Sequence, residues 1–178
     1  MRRTHIGTAY PLGSSVTKRG INFSVAAPAA TELELLLFEK ENDIKAKEII
    51  RFGYKNRSGD YWHIEIEGIT LGCLYAYRVN NLERLGENNS GCKKILLDPC
   101  ARSIVGWDIF QRDSPTNENA SLKGVVCERN SFNFNDHPRP RHRWDKTIIY
   151  ELHVGGFTKD KASGLNNDKK GTFVGLIE

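Results

Sequence analysis

The stretch YWHIEIE, residues 61–67, sets Trp62, Ile64 and Ile66 on one side of an extended chain and Tyr61, His63, Glu65 and Glu67 on the other. Side chains of a strand alternate between the two faces of a sheet, so this pattern reads as a strand with one apolar face. The same period recurs on both sides of it. In INFSV, Ile21, Phe23 and Val25 alternate with Asn22 and Ser24; in ELELLLF, Leu33, Leu35 and Leu37 oppose Glu34, Leu36 and Phe38; in LYAYRV, Tyr75, Tyr77 and Val79 fall together. The separators APAAT, EKENDIKAK and GITLG carry turn residues, and no helical period of useful length interrupts the series. Short strands of period two with such spacing predict an all-β antiparallel sandwich over residues 1–106.

Composition agrees with a single folded core. The 178 residues are 39% hydrophobic and 27% charged, and the net charge of +4 is spread along the chain rather than gathered into a polyanion-binding face. No apolar run approaches the roughly 18 residues that a membrane helix needs. The opening MRRTHIGTAYPLGSS has arginines but no apolar segment behind them, so a cytoplasmic setting is expected. Cys73, Cys92, Cys100 and Cys127 form no CxxC pair, which predicts reduced thiols and no metal site. No cofactor motif appears.

Beyond Asn80 the texture changes. NNLERLGENNSG is a polar loop, and KKILLDPCARSIVG offers a brief apolar strand ended by Asp98-Pro99, since proline cannot extend a ladder. Residues 107–143 are polar, contain Pro115, Pro138 and Pro140, and read as a connector. HPRPRHRWDK (137–146), which runs past its end, is the one basic cluster with an aromatic. Its prolines argue for a solvated spacer rather than a nucleic-acid contact. Residues 144–178 then open with TIIYELHVGGFT (147–158), an apolar run closed by Gly155-Gly156 that reads as a strand buried on both faces. GTFVGLIE at the end reads as the first turns of a helix.

Several of these segments, in order, resemble the amino-terminal part of bacterial glycogen debranching enzymes of the isoamylase type: YPLGSSVTKRGINFSVAAPAATELELLLFE, YWHIEIEGITLGCLYAYRV and KILLDPCARSIVG. WDKTIIYELHVGGFT followed by GTFVGLIE is similar to the first strand, loop and helix of that family's catalytic (β/α)8 barrel. The resemblance implies an immunoglobulin-like sandwich of the carbohydrate-binding module 48 class, followed by the first strand and helix start of an incomplete barrel. It also implies that the partner is a branched α-glucan such as glycogen, reached through the whole enzyme, whose barrel cleaves α-1,6 linkages with retention. The paired carboxyl groups such chemistry needs lie on later barrel strands in the family, so no catalytic residue is assigned here. The fragment by itself is expected to be catalytically incomplete, with the rest of the barrel as its missing partner. A free-standing, non-catalytic glucan-binding module is the alternative.

Sugar platforms expose a flat ring beside polar groups, which makes Trp107 and Trp62 the carbohydrate-binding candidates. Trp62 shares a face with Ile64 and Ile66, as a packing residue would. Trp144 and Tyr150, flanking the start of the barrel-like strand, are expected at a domain interface. Glycogen-binding members of the class carry tryptophans where this chain has KEND (Lys40–Asp43) and NNLE (Asn80–Glu83), which removes two stacking surfaces. Glu65 and Glu67 read as a solvated strand face. Glu151 and His153 alternate with apolar neighbours and have no partner strands here.

Overall fold

The computed structural model describes residues 2–82, 94–107, 121–128 and 140–177. The chain divides into two compact units, Met1–Asn133 and Phe134–Glu178.

The first unit is built from β1 (Thr4–His5), β2 (Gly13–Val16), β3 (Gly20–Ala26), β4 (Ala30–Phe38), β5 (Glu48–Arg51), β6 (Arg57–Ser58), β7 (Tyr61–Glu67), β8 (Leu74–Leu82), β9 (Ile104–Val105) and β10 (Lys123–Val125). One antiparallel sheet runs β1-β7-β3-β2, with β6 beside β7; the other runs β5-β4-β8-β10-β9. The register follows the apolar alternation. Phe23 lies opposite Ile64 and Val25 opposite Trp62, while Leu35 lies opposite Tyr77 and Leu37 opposite Tyr75. Each pairing therefore points its apolar set to the same side, and a slip of one residue would turn that set to water.

Facing one another, these sets form the sandwich core. Ile21, Phe23 and Val25 of β3 and Trp62, Ile64 and Ile66 of β7 pack with Leu33, Leu35 and Leu37 of β4 and Tyr75, Tyr77 and Val79 of β8. Phe23 meets Tyr75 edge-on, with ring centroids 5.0 Å apart. The sheet is pinned by a glycine: a Cβ on Gly20 would lie 2.0 Å from the Ile66 carbonyl oxygen, so no larger residue fits between β3 and β7 there.

The outer faces are covered as well, which simple alternation did not predict. On the second sheet, Leu36, Phe38 and Ala76 join Ile95 in a separate small cluster. Glu34, on the same side of β4, is buried and held by Arg51 Nε at 3.0 Å and Arg78 Nε at 2.7 Å. On the first sheet, residues 6–9 form a strap. Asn22 accepts from the Thr8 amide at 2.8 Å and donates to the Thr8 carbonyl at 3.0 Å; Ser24 donates to the Ala9 carbonyl, and His63 meets the Ile6 carbonyl. These contacts satisfy polar side chains that sit in the outward register yet are buried. Gly7 adopts φ +74°, and a Cβ there would come within 2.4 Å of the Asn22 Oδ1, so the strap can lie this close only with glycine.

Two stretches differ from their sequence reading. KILLDPCARSIVG supplies an isolated bridge between Tyr77 and Leu96 and then β9, rather than one apolar strand. Inside the connector of residues 107–143, Lys123–Val125 forms β10 and lies between β8 and β9. A lysine and a glycine in a three-residue strand leave no visible alternation. Gly124 is required because a Cβ would lie 2.9 Å from the Tyr75 ring. Pro115, His137 and Pro138 of that connector fall outside the described residues, as do Cys92 and most of NNLERLGENNSG.

In the second unit, the expected strand over TIIYELHV carries no ladder among the described residues. Residues 147–153 form no strand, and Val154, Gly155 and Gly156 begin a short helix, α1 (Val154–Lys159), instead of closing one. The physical reason is the absence of a neighbour: an extended segment gains little without a partner for its amides and carbonyls. His153 caps the helix, its Nδ1 accepting from the Gly156 amide at 2.9 Å. Thr158 is buried, donates to the Val154 carbonyl at 2.6 Å and accepts from the Gly171 amide at 2.8 Å. GTFVGLIE, read as a helix start, contributes one 3-10 turn at Val174–Leu176.

Asp98 joins the segment between β8 and β9 to the core. Its carboxylate accepts from the Tyr75 hydroxyl and from the Cys100 amide, each at 2.8 Å, and burial pushes its pKa up. A carboxyl raised in the native state holds its proton more tightly than in the unfolded chain. Its contribution is therefore complete below the ordinary aspartate range and is lost as pH rises through the raised value. Asp98→Asn is expected to remove that dependence, and Asp98→Ala to destabilise by about 1–3 kcal/mol by unpairing buried partners. Urea titrations between acid and neutral pH check both. Trp62, 4% exposed, is wedged among Phe52, Arg57 and the Ala27 carbonyl. Trp62→Ala should lower the unfolding free energy by about 3–5 kcal/mol, measured by the same titration.

Candidate functional site

The aromatic candidates separate cleanly. Trp62 faces the core: its ring meets Phe52 edge-on at 6.1 Å, the Arg57 guanidinium lies 5.0 Å from its centroid, and its Nε1 donates to the Ala27 carbonyl at 3.2 Å. No face of that ring is open to a sugar. Trp107 is 64% exposed at the end of a described segment. In the second unit Trp144 and Tyr150 are 84% and 77% exposed, and Ile148 beside them 95%. The sequence placed Trp62 and Trp107 together as candidates; the fold puts one in the core and the other at the surface.

The KEND segment, Lys40–Asp43, forms the turn that follows β4. The turn after β4 is closed by Asp43, whose carboxylate accepts from the Glu39 amide at 3.1 Å and the Lys40 amide at 2.9 Å. Lys123 of β10 reaches beneath it. Its ammonium donates to the Glu41 carbonyl at 2.6 Å and lies 4.8 Å from the Phe38 ring centroid. The Lys123 side chain is buried, and desolvation pulls its pKa down, opposed by the charges of Asp43 and Glu41. This turn is therefore held shut by polar ties and presents no aromatic surface. Sequence reading missed Lys123, since a lysine in a polar stretch looks solvated. The signal lies only in SLKGVV, where small and apolar residues flank it. The NNLE side chains lie outside the described residues.

The first sheet carries a groove of about 750 Å³ on its outer face. Its floor is Asn22 and Glu65, and its walls come from the strap, the β2–β3 turn and the 3-10 turn Tyr54–Asn56. Glu65 Oε1 accepts from the Thr17 hydroxyl at 2.6 Å. At the sheet edge His5 Nε2 meets Glu67 Oε1 at 2.6 Å, and that hydrogen bond holds Glu67 below the usual carboxylate range. Read in sequence as a solvated strand face, Glu65 and Glu67 are instead half-buried, each tied to a local partner. Glu151 is exposed, and His153 is committed to capping α1. Among the described residues no three His, Cys, Asp or Glu side chains gather as metal ligands, and no helix is long and apolar enough to cross a membrane.

Comparison with known proteins follows the same architecture. The profile of carbohydrate-binding module 48 (isoamylase N-terminal domain) matches residues 11–101. The chain is 30% identical to the glycogen debranching enzyme of Pectobacterium carotovorum subsp. carotovorum (strain PC1) over 99% of its own length and 27% of that protein. It is 31% identical to the chloroplastic isoamylase 3 of Oryza sativa subsp. japonica, over 97% of this chain and 23% of that one. It spans about a quarter of the length of these curated relatives. In three dimensions it superposes on a pullulanase from Bacillus acidopullulyticus with a TM-score of 0.64 at 24% identity, covering 96% of this chain and 18% of the other. The sandwich, its register and the profile spanning β2 through Asp98 lead to one assignment: the chain belongs to the carbohydrate-binding module 48 family, the isoamylase N-terminal domain.

Proposed function

We propose that this chain is the accessory, amino-terminal region of an isoamylase-type enzyme that hydrolyses α-1,6 branch linkages of glycogen or a related α-glucan. In that enzyme the sandwich, immunoglobulin-like in class, supports the catalytic barrel and shapes access for branched chains. The observation that carries the reading is continuity. One alignment to a glycogen debranching enzyme runs through the sandwich and on through the segment after it, over 99% of this chain. The exposed apolar residues Ile148, Ile149 and Tyr150 support it, because strands 2 and 8 of a (β/α)8 barrel would supply the ladder and burial that this segment lacks here. Trp144 and Tyr150 then become interface residues, and residues 144–178 the start of the barrel, with residues 1–106 the module and 107–143 the connector.

The chemistry belongs to carboxyl groups outside this chain. A retaining glycosidase needs two of them about 5 Å apart, flanking the scissile bond. Glu65 and Glu67 are tied to Thr17 and His5 on an outer sheet face. Incubated with glycogen, the purified 178-residue protein is expected to release no linear chains. The protein encoded by the native message read on past Glu178 is expected to release them, seen as a shift in iodine staining. A stop codon directly after Glu178, or chain release by the short protein, would contradict the proposal.

A further inference from the structure

We propose that the free edge of β5 is a docking edge for an acidic, extended segment of a partner polypeptide, which would join the second sheet as a further antiparallel strand. β5 ends that sheet and pairs with β4 alone. The Phe52 amide donates to the Leu33 carbonyl at 3.0 Å, and residues of an antiparallel strand face their neighbour alternately. Ile50 and Glu48 therefore turn their backbone groups to β4. Ile49 and Arg51 turn theirs outward, where no described residue pairs with them. A row of unused amides and carbonyls of this kind is what strand addition consumes. All of β5 lines a groove of about 1060 Å³, so the edge is open rather than capped.

The charges at this edge decide what the incoming strand is. Among the cations of the groove, Arg2 pairs with Glu48 at 3.0 Å and Lys47 pairs with Glu39. Arg51 and Arg78 share one carboxylate, that of buried Glu34, which leaves a positive charge in excess. The Arg51 side chain is 84% exposed and meets Glu34 through Nε at 3.0 Å, so its outer N–H groups face solvent and suit a second carboxylate. Ile49, 47% exposed, offers an apolar contact between Lys47 and Arg51.

A second copy of this chain does not fit. Aligned antiparallel so that Ile49 faces Ile49, each Lys47 lies opposite the other copy's Arg51; aligned on Arg51, the two arginines meet. Like charges directly opposed destabilise a strand pair. No such register sets a carboxylate opposite Arg51, because Glu48 belongs to the set that faces β4. The charges that guard this edge against self-association thus select a strand whose apolar residue is flanked, two positions away on each side, by carboxylates.

Fluorescence anisotropy of a labelled, end-blocked peptide, Thr-Glu-Thr-Val-Thr-Glu-Thr, titrated with the whole 178-residue chain tests this. The chain should bind it. The counterpart with lysine for both glutamates should bind at least about tenfold more weakly, since both cross-strand charge pairs change sign. Ile49→Pro removes only an amide that faces away from β4, a change that edge strands tolerate. It should weaken binding by about tenfold or more while the urea transition stays that of the parent. Arg51→Gln leaves Glu34 with Arg78 and should weaken binding by about threefold. The proposal is overturned if the peptide stays unbound at millimolar protein, if the two peptides bind alike, or if Arg51→Gln and folded Ile49→Pro both bind as the parent does. A concentration-dependent dimer in sedimentation that Ile49→Pro dissolves would also overturn it, because a second copy would then occupy the edge.

Discussion

Everything in the first unit depends on the apolar faces of two strand pairs being turned toward each other. β3 and β7 present Phe23, Ile64 and Ile66; β4 and β8 present Leu35, Tyr75 and Tyr77. The period of two makes this an all-or-none condition, since shifting either pairing by one residue would place Asn22 or Glu65 in the core. Gly20 enforces the registry physically, because only a residue without a Cβ fits beneath the Ile66 carbonyl. Tyr75 then carries the constraint outward: its ring packs on Phe23 and bounds the space at Gly124, and its hydroxyl holds Asp98. A single aromatic side chain thus links the core, the short β10 strand and the segment after residue 94.

The part of this fold legible in the sequence is the part governed by that period. β3, β4, β7 and β8 can be read directly from INFSV, ELELLLF, YWHIEIE and LYAYRV, together with the side that faces inward. What periodicity does not show is the second layer of burial. Asn22, Ser24 and His63 look solvent-facing, yet a strap fixed by Gly7 covers them, and only the hydrogen bonds to backbone carbonyls reveal it. Strands of two to four residues, such as β1, β5 and β10, have too few positions to display a period. Lys123 is the sharpest case: a charged residue whose burial depends on a carbonyl and a ring supplied by the β4 side of the sheet. At the level of sites, the sequence identified the aromatic residues but not their environments. Trp62 and Trp107 are alike as letters and opposite in exposure.

TIIYELHV illustrates the opposite lesson. Its composition is that of a buried strand, but a strand is defined by its neighbours, and the described residues supply none. The chain accordingly forms no strand before His153 and then uses Gly155 and Gly156 in a capped helical turn. Local propensity is satisfied and the ladder is not. This contrast between a sandwich with its own core and a following segment without a ladder among the described residues is what the proposed accessory role rests on.

Amide hydrogen exchange across the whole chain tests that contrast most directly. Amides of β3, β4, β7 and β8 should exchange only through global opening, while those of 148–152 exchange at rates near those of an unstructured peptide. Protection of 148–152 equal to that of β7 would contradict the account, since it would mean that the segment already has its ladder within this chain.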